Sequence, residues 1–201
     1  MRFPTPTIEE IRRARKLFEA NEPRDLFYRA ATELLDLAMR GETSLSVAEA
    51  IAVLLQTWNR RYYNRSRPFD SQHFLDIERV VSTHQQVLAT FRRRSIESFG
   101  DEDEARVRRV FDSFEEVLGR VGASKALHLL APRFFPLWDN AIAQRYGVAL
   151  RERGRNADRY CRFMGIAKKQ WETLGGEQAV RRNPLKAIDE YNYCRYTKGW
   201  M

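Results

Sequence analysis

The chain has 201 residues, 43% of them hydrophobic and 31% charged, with a net charge of +8. That length supports one good core or two small lobes sharing one, and the composition excludes a disordered chain. No apolar run approaches the roughly 18 residues that a membrane span needs.

The N-terminal stretch MRFPTPTIEE turns polar and acidic at once, so no signal peptide is expected. The apolar period is helical nearly everywhere, and alternating strand patterns and hairpin dipeptides are missing. Thr7 with Glu10 forms a capping box ahead of IRRARKLF, and Ser46 with Glu49 forms another ahead of AIAVLLQTW. Asp70 can cap SQHFLDIERVV. The acidic run Asp101 to Glu104 suits a helix start, where the dipole favours negative charge. Asn183 and Pro184 read as the cap and first residue of the last helix. Gly41, Gly100, Gly147, Gly175, Gly176 and Gly199 mark stops. The expectation is an all-α protein, a single domain over residues 1–201, with about nine helices in a two-lobed single core.

A cationic chain attracts polyanions, and nucleic acid is the first candidate. The segment TWNRRYYNRSRPF, Thr57 to Phe69, carries four arginines among Trp58, Tyr62, Tyr63 and Phe69, with no acid. Arginines there supply phosphate contacts, and aromatics supply stacking platforms or wedges. The plainer reading puts Phe69 and one tyrosine in the core. Arg92 to Arg94 and the stretch Arg151 to Arg162 are further basic clusters, also readable as ordinary helix surface. Two cysteines, Cys161 and Cys194, with no CxxC exclude four-cysteine zinc and iron–sulfur centres from this chain alone and fit a reducing, cytoplasmic compartment. No His, Asp or Glu group has metal-ligand spacing, so no metal and no cofactor are expected.

Two helical patterns, VFDSFEEVL and ASKALHLL, flank Gly119-Arg120-Val121-Gly122. A turn there can offer backbone amides and a helix dipole to a phosphate, or can be a plain corner with a glycine cap. Downstream, KALHLLAPRFFPLWDNAI places Asp139 between Trp138 and Asn140 at a helix start. Asp139 reads either as a cap or as a carboxylate that does chemistry, and the two roles are compatible.

These stretches resemble the helix-hairpin-helix DNA glycosylase superfamily, the class of endonuclease III, MutY and the 8-oxoguanine and alkyladenine glycosylases. The family hairpin runs roughly Leu-Pro-Gly-hydrophobic-Gly-x-x-x-Ala. Leu118 to Ala126 keeps the hydrophobic Val121, the second glycine at Gly122 and the alanine at Ala126, and departs where Gly119 and Arg120 stand for Pro and Gly. The resemblance covers about residues 46 to 147. It implies a helix-hairpin-helix element at about 105–131, with an essential Asp139. It implies DNA contacts from Trp58, Asn59, Arg60, Arg61 and Tyr62 and from the amides of Gly122, Ala123 and Ser124. Trp138 and Asn140 would line the base pocket. The lysine of strand-cleaving members aligns with Ser124, so a monofunctional enzyme is expected, with Lys125 next door keeping lyase activity open. The iron–sulfur subclass is excluded by the cysteine count.

The implied activity is a DNA glycosylase that flips a damaged or modified base from double-stranded DNA and hydrolyses its glycosidic bond. It would serve base excision repair or defence against modified phage DNA, acting as a cytoplasmic monomer with no membrane partner. Two other readings stand beside it. One is a non-catalytic helical DNA-binding module with Asp139 as a cap. The other is a HEPN-like ribonuclease using Arg79 and His84, which match an Arg-x4-His pattern. His128 reads as a core histidine. In the C-terminal LKAIDEYNYCRY, Asp189, Asn192 and Tyr193 either belong to a docking helix or reach the base pocket.

Overall fold

The structure, a computed structural model, describes residues 4–65, 67–180 and 182–201. Met1 to Phe3, at the head of the N-terminal stretch, and Ser66, within the basic aromatic segment, lie outside the described residues, as does Arg181. The helices in chain order are α1 (Ile8–Asn21), α2 (Asp25–Arg40), α3 (Val47–Trp58), α4 (Arg60–Arg65), α5 (Ser71–Thr83) and α6 (Gln85–Arg92). Then follow α7 (Asp101–Leu130), α8 (Asn140–Arg145), α9 (Ala157–Thr173), α10 (Gly176–Val180) and α11 (Pro184–Asn192). A 3-10 turn covers Ile96–Ser98 and a π turn covers Tyr193–Thr197. Ten of these helices have six residues or more, and no strand occurs among the described residues. No helix is long and apolar enough to cross a membrane.

Local chemistry explains the helix starts. Both capping boxes form, with Glu10 N–H donating to Thr7 and Glu49 N–H to Ser46, each at 3.2 Å. Asp70 accepts from His73 N–H, and Asn183 caps α11 with Pro184 in the first turn. Gly41 ends α2 at φ 69, a left-handed conformation that costs glycine little. Gly100 begins α7 rather than ending a helix.

The long α7 is the spine of the larger core and packs against α2, α3, α5, α6 and α9. Its buried face is Val107, Val110, Phe111, Phe114 and Leu118, spaced three or four residues apart for the most part. Each such side chain contributes ~1.5–3 kcal/mol of burial. A smaller core joins the ends of the chain: Ile11, Ala14 and Phe18 of α1 meet Ala187, Ile188 and Tyr191 of α11. All nine residues of α11 are buried. Among them is Lys186, whose ammonium lies 3.4 Å from Glu190, 3.6 Å from Asp189 and 3.7 Å from Asp25. It also sits 4.3 Å from the ring centre of Phe18. A buried cation survives only with such partners.

Over the stretch where the sequence predicts a helix-hairpin-helix, about 105–131, two helical segments of α7 meet at a kink at Gly119. Gly119 has φ 70 and ψ 164, a region essentially restricted to glycine. A Cβ there would lie 2.8 Å from the Tyr62 ring, and one on Gly122 would lie 2.6 Å from the Asn59 amide nitrogen. Close packing therefore requires both glycines, and the break requires the first of them as well.

Candidate functional site

The break in α7 leaves backbone carbonyls without helical donors, and a buried orphan carbonyl is costly. Two side chains answer it, and a third meets the carbonyl just beyond it. Asn59 Nδ2 donates to Leu118 O at 3.2 Å, the Tyr62 hydroxyl donates to Val117 O at 3.3 Å, and Trp138 Nε1 donates to Arg120 O at 3.0 Å. These are residues that the sequence pattern assigns to DNA or to a base pocket. Asn59 is buried. Trp138 is 1% exposed, with its ring packed against Phe111, Tyr160 and Phe163, and it lies in the wall of the cleft described below. Trp58 is half-buried, stacks on Tyr28 and donates its indole N–H to Arg24 O. Gly122, Ala123 and Ser124 are buried too, and the Ser124 hydroxyl turns inward to Val121 O. Of the three, Gly122 lines the cleft described below.

Around the break lies a cleft of about 730 Å³. Its walls come from the end of α1, the end of α3, α4, the Gly119–Gly122 stretch, the head of α8, and the α11–π turn junction. Asp139 lies on this cleft and also caps α8. Its Oδ1 accepts from Ile142 N–H at 2.9 Å, and its Oδ2 accepts from the Thr197 hydroxyl at 2.7 Å. Asn140, the first residue of α8, is exposed on the same rim.

Lys125 lines the cleft, although a one-residue offset from the aligned position predicts that it points elsewhere. Its Nζ donates to Trp58 O, the last carbonyl of α3, where the helix dipole favours a cation. Burial pulls the Lys125 ammonium down to about 8, against the opposing pull of Asp139 and Asp189. Asp189 is on the same cleft and only 8% exposed; burial pushes its carboxyl up to about 6. One end of the cleft is closed by Glu22, Arg24 and Tyr193. Arg24 forms two 2.7 Å bonds to the Glu22 carboxylate, and the Tyr193 hydroxyl donates to Glu22 at 2.5 Å. Burial raises Glu22, but these donors outweigh it and hold the carboxyl at about 2.

The rim is cationic. Arg61 and Arg65 of α4 line the cleft, are exposed, and make no ion pair among the described residues. Arg60 is exposed but lies off the cleft. Arg67 pairs with Asp76, and Tyr63 is buried against Phe69 and His73. The second basic cluster is structural: Arg92 binds Asp36 and Leu130 O, and Arg94 grips the buried Asp103.

Arg79 and His84 do not line the cleft. Arg79 pairs with Asp76 on the surface, and the His84 ring lies against Phe114. His128 is a core histidine, held by Phe135 O at 2.8 Å and the Tyr28 hydroxyl at 3.1 Å. Burial drives its pKa down to about 3. Asn192 is buried on the Tyr146 hydroxyl, away from the cleft. Among the described residues no group of three His, Cys, Asp or Glu side chains could hold a metal ion.

Two cleft residues have no signal in the sequence, Thr197 and Glu22. Asp189 and Tyr193 do have one, their spacing of four residues at a helix end. No family model, curated protein or solved structure matches this chain.

Proposed function

We propose that the chain is a DNA glycosylase that takes a base out of the duplex into the cleft and hydrolyses its glycosidic bond, with Asp139 as the essential carboxylate. One observation carries the reading. Asp139 combines its capping role with a place on a cleft of about 730 Å³, beside Lys125 and the Gly119 break. A cap alone requires no cavity, whereas base removal requires one large enough for an extruded nucleotide.

Breaking the bond builds positive charge on the deoxyribose. A carboxylate beside C1′ stabilises that charge and orients water. The two donors on Asp139 fix its direction. Arg61 and Arg65 supply exposed cations for the phosphates flanking the site. Lys125 adds a second chemistry. An amine with a pKa near 8 is about one-tenth neutral at pH 7, and that form can attack an abasic C1′ to form a Schiff base. A strand-cleaving step therefore belongs with the proposal as an option at the same site.

A second reading has its own support. Both Asp139 oxygens are engaged by protein donors. A DNA-binding module with a structural Asp139 would look the same at that residue. Base release from duplex DNA by wild type and by Asp139→Asn separates the two.

A further inference from the structure

We propose that Asp189 is the proton donor to the departing base, the acidic counterpart of Asp139 at the sugar. The inference rests on the base-release reading and deepens it by naming a second carboxyl at the same site.

The geometry is that of a carboxyl held in reserve. Asp189 projects from α11 onto the cleft that Asp139 and Lys125 also line. It is only 8% exposed, yet its carboxyl makes no hydrogen bond among the described residues. Its nearest charged neighbour is the Lys186 ammonium at 3.6 Å, which is itself shared with Asp25 and Glu190. Asp139, by contrast, receives two hydrogen bonds. A carboxyl removed from water and given no donors favours its neutral form. Lys186 on α11 and Lys125 on α7 favour the ionised form, while Glu190 on α11 and Asp139 at the head of α8 oppose it. Of the three carboxyls on the cleft, Glu22 and Asp139 are bonded by donors and Asp189 is not, and Asp139 and Asp189 are divided between the two roles that glycosidic hydrolysis needs.

The step balances without a further reactant. The C1′–N bond breaks and its electron pair goes to the base. The Asp189 carboxyl gives its proton to a ring nitrogen or oxygen of that base, which leaves neutral. Water forms the new bond to C1′ and gives its proton to Asp139. Solvent then returns a proton to Asp189 and takes one from Asp139.

The test uses the full chain and two readouts. The first is the carboxyl 13C signal of Asp189 in the free protein, which is expected to titrate near 6. A midpoint in the ordinary carboxylate range overturns the assignment whatever the activity. The second is single-turnover release from duplexes carrying hypoxanthine, which needs a proton to leave well, or N7-methylguanine, whose cationic ring leaves neutral without one. Asp189→Asn is expected to lose at least about 100-fold on hypoxanthine and far less on N7-methylguanine. The wild-type rate on hypoxanthine is expected to fall as pH rises through about 6, because the protonated form is the active one. Equal losses on both duplexes, or no loss, overturn the assignment and leave base release standing. No release by wild type from these duplexes or from any member of a wider panel of damaged and hypermodified duplexes overturns both.

Discussion

The hydroxyl of Thr197 donates to Oδ2 of Asp139 at 2.7 Å, joining the last turn of the chain to the head of α8. The other carboxylate oxygen accepts from Ile142 N–H. Asp139 is thus held from both ends, once by the helix it caps and once by the π turn Tyr193–Thr197. Capping and presentation to the cleft are one arrangement.

The break at Gly119 organises the cleft, and Gly119 and Gly122 are packed from outside. Gly119→Ala and Gly122→Ala are each expected to cost about 1–3 kcal/mol, through positive φ in the first and collision with Asn59 in the second. Gly165 lies in α9 with nothing within 4 Å of a built Cβ, so Gly165→Ala is expected to stabilise by about 0.5–1 kcal/mol. Urea unfolding of the three variants checks this. Similar effects at all three positions would contradict it.

Arg61 and Arg65 stand on the cleft rim with no ion pair among the described residues. The pair Arg61→Ala and Arg65→Ala should weaken DNA binding and flatten its salt dependence. The slope of log K against log salt is expected to fall by about 0.9 for each phosphate that is no longer neutralised. Fluorescence anisotropy at several salt concentrations reads it. An unchanged slope removes α4 from the interface.

His128 is buried neutral between Phe135 O and Tyr28, with its pKa near 3. The unfolded chain binds a proton on this histidine near pH 6.5. Between these values the unfolded state holds more protons, so stability rises with pH and is lost on acidification. The expected loss from this residue is about 1.6 kcal/mol between pH 6.5 and pH 5. His128→Gln should flatten that slope in chemical unfolding, whatever it does to stability at pH 7.

Much of the fold was legible because it is local. Thr7 with Glu10, Ser46 with Glu49, and Asn183 with Pro184 act within one turn, and their residues announce it. Tyr63 and Phe69 packing into the core also followed from their apolar character. The site was less legible because its partners are distant in sequence. Nothing around Asn59, Tyr62 or Trp138 reveals that their donors will meet carbonyls 18 to 59 residues away, as they do at the α7 break. Ser124 and Lys125 diverge as a rotation of about 100° per residue requires, but it is Ser124 that turns inward and Lys125 that lines the cleft, which spacing alone does not decide. Thr197 reaches Asp139 because the π turn at the end of the chain packs on α8, a contact between segments far apart in sequence.

The most direct test of the account is release of free base from a panel of damaged and hypermodified duplexes by wild type and Asp139→Asn. Asparagine caps a helix about as well as aspartate, so the variant keeps α8 while removing the carboxylate. Wild type is expected to release base and the variant to lose at least about 100-fold, with both proteins folded and binding DNA alike. Equal release by the two proteins, or tight DNA binding with no release by either, would contradict it and leave Asp139 as the cap of α8.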